Sequence, residues 1–223
     1  LELMASLIRC LVSAGPTREY FDPVRFISNP STGRMGFALA RAAAATGWET
    51  TLVTGPAGFD DPPETQVFHV ESAEEMHRAL GLRFSECDVL IMAAAVSDCR
   101  PRRRAPGKVK KGDMEMCVEL EPTPDILKTL GERRRPDQLL VGFAAETDRL
   151  EAEGRRKLME KRCDVIVANR VGVPGSGFGA ADNAVIVLTR SGAPQRMGPA
   201  PKDELARQLI ACFSTMISKE QRA

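Results

Sequence analysis

Two histidines and six scattered cysteines leave this 223-residue sequence with little to hold a transition metal. Cys10, Cys87, Cys99, Cys117, Cys163 and Cys212 form no CxxC pair, and only His69 and His77 are on hand as imidazole partners, so no zinc site is expected. The same scatter, with several thiols set in apolar runs, argues against a secreted disulfide framework and for a reducing compartment, the cytoplasm. An excess of one charge is missing too: 31 lysines and arginines face 30 acidic residues, a net charge of +1. No global field draws the chain to nucleic acid or to an anionic membrane, so any anion site must be local. Nor is there a long apolar run. Leu7 to Val12 is too short to span a bilayer and leads into a Gly-Pro turn instead of a cleavage site. The length favours one domain over residues 1–223, with room for a small lobe; it fits a stand-alone protein or one half of a fusion.

What is present is an alternation. Short apolar runs at Leu7–Ser13, Thr50–Thr54, Val67–Val70, Val89–Ala94, Leu139–Phe143, Val165–Ala168 and Val185–Leu188 read as strands, with helical stretches between many of them. Nearly all-apolar strands alternating with helices predict a mostly parallel sheet covered on both faces, the doubly wound α/β class, with ligands at the carboxyl ends of the strands. Met35–Thr46 is alanine-rich with Arg41 its only charge, which predicts a helix buried on most sides and stopped by Gly47. The spacing of Leu205, Leu209, Ile210, Phe213, Met216 and Ile217 predicts a C-terminal core helix. Two stretches, 99–122 and 171–201, are rich in proline and glycine and are expected to leave the sheet, the first as a flap with seven cations between Arg100 and Lys111.

A nicotinamide or flavin dinucleotide site would need GxGxxG directly after the first strand and an acid ending the second. Neither occurs: Ser13 to Pro30 separates the first strand from the STGRMG turn, and Thr54 is followed by Gly55 and Pro56. The Tyr-x-x-x-Lys pair of a short-chain dehydrogenase is also excluded, because the only tyrosine is Tyr20 and Val24 stands four residues on.

Several motifs carry candidate chemistry, each beside a plainer reading. Gly33 and Gly36 open a helix whose free amides suit an anion such as phosphate, or they serve only a tight turn and close packing. Asn29, in a proline-flanked loop, is placed to donate to a developing oxyanion or to cap a turn. Asp98 ends the strand in AAAVSDCRP, where a carboxylate meets a sugar, a base or magnesium, or again caps a turn. Lys108, Lys110 and Lys111 form KVKK, either a solvated face or mobile lysines closing on a triphosphate; the run has no interleaved aromatics, which speaks against nucleic acid. In PTPDIL, Thr123 is a credible N-cap, with Pro124 in the first turn and Asp125 complementing the dipole. Lys157 and Lys161, at i and i+4, project from one helix face. Glu153 offers Lys157 a surface ion pair as the alternative.

Taken together, AGPTRE, DPVRFISN, STGRMGFALA, AAAVSDCRP, KVKK, PTPDIL, VGFAAET, KLMEK, VAN and GFGAADNAV resemble, in order and along nearly the whole chain, the phosphopantothenate-cysteine ligases of the bacterial type. The resemblance implies a Rossmann-like homodimer, with 171–201 as the dimerisation lobe and the KVKK flap over the site. It implies a two-step reaction in which 4'-phosphopantothenate is activated by CTP, with ATP as the alternative nucleotide, and captured by cysteine. Magnesium is expected through the phosphates, with no metal ligands from the protein. By position it implies catalytic roles for Asn29 and Lys108, and nucleotide contacts from Asp98, Lys108, Pro124, Asp125, Ile126, Leu127, Phe143, Lys157 and Lys161; Gly15 and Gly33 are added from their glycine turns. Two positions depart from the family: Ser97 and Cys99 stand where it usually has alanine and an aromatic. Many bacterial relatives carry a flavin-dependent decarboxylase, a possible partner; its motifs do not occur here, so neither FMN nor decarboxylation is expected. The competing classes are an NAD(P)-binding oxidoreductase and a non-catalytic nucleotide-binding homologue.

Overall fold

The computed structural model describes residues 7–113, 117–172 and 182–220. In chain order it forms β1 (Arg9–Ala14), β2 (Arg18–Tyr20), β3 (Phe26–Ser28), α1 (Arg34–Ala45), β4 (Glu49–Thr54), β5 (Thr65–His69), α2 (Ala73–Arg83), β6 (Val89–Met92) and β7 (Cys99–Pro101). There follow β8 (Leu120–Pro122), α3 (Ile126–Arg133), β9 (Leu139–Glu146), α4 (Leu150–Glu160), β10 (Val165–Arg170), β11 (Asp182–Thr189), β12 (Gln195–Pro201) and α5 (Lys202–Glu220). Eight strands make one sheet in the order β12-β11-β10-β9-β6-β1-β4-β5. β10 to β5 run parallel, and β11 and β12 are antiparallel additions. The doubly wound class is as expected.

Because β1 lies between β4 and β6, the chain reverses its direction of winding there. A crevice opens at such a switch point, beyond the carboxyl ends of the strands. The strands flanking it are deeply buried: Val89–Met92 is wholly buried, and β1 is buried from Cys10 onward. α1 and α5 cover one face, where Phe37, Leu39, Leu209 and Phe213 pack with Val12, Ile91 and Val141. α2, α3 and α4 cover the other through Met76, Leu80, Leu130 and Leu158 against Leu11, Leu90 and Leu140. α1 is buried on most sides, as its alanines predict, and ends with Gly47 in the left-handed region at φ 84°. Cys10, Cys87 and Cys163 are buried free thiols; burial pushes Cys87 and Cys163 each up to about 12.

One expectation needs correcting. The described parts of 171–201 do not leave the sheet, because β11 hydrogen-bonds to β10 and β12 to β11. Proline is tolerated in β12 since an edge strand bonds on one side only. Residues 173–181, which include the start of GFGAADNAV, lie outside the described residues, as do 114–116 of the lysine-rich stretch. That stretch does leave the main sheet: β7 and β8 pair antiparallel as a separate ribbon. Among the described residues no helix is long and apolar enough to cross a membrane.

Candidate active site

Past the end of β1, residues 15–17 run beside the segment that follows β6. Ala95 N donates to Gly15 O at 2.9 Å, and Ser97 N donates to Thr17 Oγ1 at 2.9 Å. This joins AGPT to AAAVSD and forms the floor of a cleft of about 750 Å³. The hairpin of β2 and β3 then carries the chain back over that floor. Asn29 Nδ2 donates to the carbonyls of Ala95 at 3.2 Å and Val96 at 3.1 Å.

Of the residues singled out in the sequence, Asn29, Gly33, Asp98, Pro124, Asp125, Ile126, Leu127, Phe143, Lys157 and Lys161 all line this cleft. Gly15 and Lys108 do not. Gly15 lies under Gly33: a Cβ on Gly33, whose φ is 78°, would stand 3.0 Å from Gly15 Cα. The two glycines therefore let the start of α1 settle onto the end of β1. Lys108 is exposed, on a segment tied to the tip of the β2–β3 hairpin.

α1 and α3 both point their N-termini at the cleft but differ electrostatically. α1 has Gly33 as its cap residue, no acid in its first turn and no carboxylate cap. Helix geometry leaves the amides of Arg34, Met35 and Gly36 without intrahelical acceptors, and among the described residues only Thr32 Oγ1 reaches one of them, Arg34 N, at 3.4 Å. α3 is capped by its own carboxylate, Asp125 Oδ1 accepting from Lys128 N at 3.1 Å. Of the two helix starts, only that of α1 leaves its positive end without a carboxylate among the described residues.

This geometry revises three expectations. Thr123 is not the cap of α3; its hydroxyl donates to Ser97 O, and Asp125, one residue past Pro124, caps instead. A carboxylate caps as well as a hydroxyl, and Thr123 is already engaged. Lys157 does not pair with Glu153, which binds Arg156 and Arg149. Its ammonium turns inward to Glu146 Oε1 at 2.8 Å, in a geometry too bent to count as a hydrogen bond. Third, both amide hydrogens of Asn29 are spent on backbone carbonyls, so the side chain holds the 95–96 turn and offers Oδ1, an acceptor, in place of an oxyanion donor.

Lys161 is engaged as well, with Asp125 and, at 3.2 Å, with Glu160. Burial pulls its ammonium down, but these hydrogen bonds outweigh burial and hold it above the usual lysine range. The cleft also takes Arg34, Asn169, Asn183 and Lys202, which the sequence did not single out. Lys202 opens α5 and is buried; burial, reinforced by the Arg34 guanidinium, lowers it below the usual range. A cleft so lined offers the first-turn amides of α1 and the Arg34 and Lys202 cations along one side, with Phe143 as its one aromatic wall among the described residues. Among those residues no group of three or more His, Cys, Asp or Glu is placed to hold a metal.

Comparison with known proteins identifies the family and the fold. The chain is 44% identical over 210 residues to a cysteine/cysteine sulfinic acid decarboxylase of an unidentified prokaryote, covering 94% of the chain and 58% of that protein. It is 42% identical over 201 residues to the coenzyme A biosynthesis bifunctional protein CoaBC of Bacillus subtilis, covering 90% and 49%. The crystal structure of the C-terminal domain of a coenzyme A biosynthesis bifunctional protein CoaBC superposes with a TM-score of 0.82 at 38% identity, over 95% of this chain and 96% of that one. The chain thus spans about half the length of the curated relatives it matches. With residues 6–216 matching that family's model, the chain belongs to the DNA/pantothenate metabolism flavoprotein C-terminal domain family.

Proposed function

We propose that this chain is a phosphopantothenate-cysteine ligase acting through an acyl-nucleotide. The observation that carries the reading is the gathering of the open α1 N-terminus, Asn29, Asp98, Lys157 and Lys161 in one cleft at the sheet's switch point. In the first step the carboxylate of 4'-phosphopantothenate attacks the α-phosphate of CTP, and pyrophosphate leaves. The amine of cysteine then attacks the acyl carbon, and CMP departs with the bonding electrons of the anhydride. A carboxylate is a poor acyl donor to an amine, and the anhydride supplies a leaving group, so no covalent enzyme intermediate is required.

The protein's work is alignment of two anions and neutralisation of their repulsion. The first-turn amides of α1 receive phosphate oxygens, and Lys157 and Lys161 add charge from the facing helix. Asn29 Oδ1, an acceptor, suits an N–H of the incoming cysteine amine. The donor set fits a magnesium ion carried in by the triphosphate, with Asp98 as a lining carboxylate to supplement it and no protein cage. Homodimer formation through 171–201, a flavin-dependent decarboxylase as partner, a cytoplasmic setting and preference for CTP over ATP belong to the same reading.

The test incubates the purified chain with phosphopantothenate, magnesium and CTP or ATP, then adds cysteine and follows pyrophosphate and the amide product by mass. Pyrophosphate release that needs both acid and nucleotide supports the ligase. Binding of CTP without turnover points to a non-catalytic homologue. Binding of NAD(P) in its place, or release of carbon dioxide from cysteine sulfinate without nucleotide, would overturn the proposal.

A further inference from the structure

The tip of the β2–β3 hairpin holds a carboxylate that the mechanism above does not use. Asp22 is fully buried, and its two oxygens are crowded with donors. Oδ1 accepts from Val24 N and Arg25 N, each at 2.8 Å. Oδ2 accepts from Arg25 Nε at 3.0 Å, from Arg25 Nη2, and from Val109 N at 3.2 Å. Arg25 Nη2 also donates to Val109 O at 2.9 Å. One ion pair therefore grips a single peptide residue at both its N–H and its C=O, doing with side chains what a neighbouring strand does with backbone.

The grip is reinforced nearby. Ala105 N donates to Phe21 O at 2.8 Å, and the Arg104 guanidinium stands 5.1 Å from the centre of the Tyr20 ring. The hydrogen bond from Arg25, followed by those from the backbone amides, holds the Asp22 carboxyl below its usual range. It thus stays charged while it serves as acceptor. Val109 lies between Lys108 and Lys110, and Arg25 lies four residues before Asn29. The hairpin accordingly ties the lysine segment at its tip and the 95–96 turn at its base.

We propose that Asp22 and Arg25 are positioning residues: their ion pair latches Val109 and thereby sets where Lys108 stands for the incoming nucleotide. The consequence for the nucleotide rests on the ligase reading; the latch itself is measurable apart from it. Asp22→Asn replaces an acceptor with an amide that cannot take all these donors. Val109→Pro removes the N–H from the gripped side and leaves Asp22 and Arg25 intact, which guards against misfolding of the first variant.

Hydrogen exchange followed by mass spectrometry across residues 104–112 reads the latch, and titration with CTP and magnesium reads its use. Both variants are expected to exchange about tenfold faster in this segment. The Kd and KM for CTP should rise roughly five- to twentyfold, while the KM for cysteine stays within about twofold. Unchanged exchange in both variants overturns the latch. Faster exchange with unaltered CTP affinity, or an equal rise in both KM values, reduces the ion pair to a structural part and overturns the positioning role. If the wild-type chain binds no CTP, the ligase reading falls and the positioning role with it, while the exchange data still report the latch.

Discussion

Gly33→Ala tests the start of α1 as an anion site. Gly33 has φ 78°, and an alanine there costs about 1–2 kcal/mol from the left-handed backbone alone. The added Cβ would meet Gly15 Cα at 3.0 Å, Gly15 N at 3.1 Å and Ala57 Cβ at 3.3 Å. Two of these neighbours are backbone atoms that must shift, which adds about 1 kcal/mol or more. The expected loss is about 3 kcal/mol, and for a domain of this size a Tm lower by roughly 9 °C. Gly47→Ala is the internal control. It has φ 84° with nothing within 4 Å of the new Cβ, and it lies at the other end of α1, so it should lose only about 1 kcal/mol, roughly 3 °C. Urea or thermal denaturation measures both, and calorimetric titration with CTP reads the site. Only Gly33→Ala should weaken CTP, by about tenfold or more. Equal Tm losses for the two variants would refute the steric argument. A destabilised Gly33→Ala with wild-type CTP affinity would refute the assignment of phosphate to this turn.

Lys157→Met and Lys161→Met should each weaken CTP by about tenfold at low salt, an effect of about 1.4 kcal/mol, with the loss shrinking as ionic strength rises. Both partners, Glu146 and Asp125, remain in place, so titration at two salt concentrations checks the charge reading. Asn29→Ala frees the carbonyls of Ala95 and Val96 and should lower amide formation at least tenfold while sparing pyrophosphate release more; equal loss of both steps would contradict the acceptor role. The buried thiols of Cys87 and Cys163 are pushed up to about 12. Their contribution to stability is therefore full below the ordinary thiol range near pH 8.5 and is lost as pH rises toward 12. Denaturation midpoints should fall across that window, and less so in a Cys87→Ala, Cys163→Ala double variant.

The sheet could be read from the sequence because its central strands are buried on both faces and so appear as largely apolar runs, Val89–Met92 above all. The short ribbons could not. β2, β3, β7 and β8 are three residues each, too short to leave a period to detect, and all but β3 mix charge with aromatic or proline. β12 reads as a loop because Gly198, Pro199 and Pro201 interrupt it, and it is a strand only because β11 supplies one ladder. At the site, Lys157 and Lys161 were visible through their spacing of four. Asn169 and Asn183 stood unassigned within VAN and GFGAADNAV, and Lys202 carried no signal, because only the tertiary fold brings these single polar residues together. The Glu153 pairing expected from the same spacing failed because arginines on the helix compete for that carboxylate. The donor role expected of Asn29 failed because two carbonyls across the turn had the prior claim on its hydrogens.

The central place of β1 has a bearing on synthesis. Its partners on either side are far away along the chain: Cys10 pairs with Thr50 on one flank and Val89 on the other. A ribosome adding roughly 5–20 residues per second delivers the second flank several seconds after the first segment emerges. During that interval a strand destined for the core has an unpaired edge. Nascent chains arrested before β6 should therefore recruit holding chaperones, and those extended past it should release them.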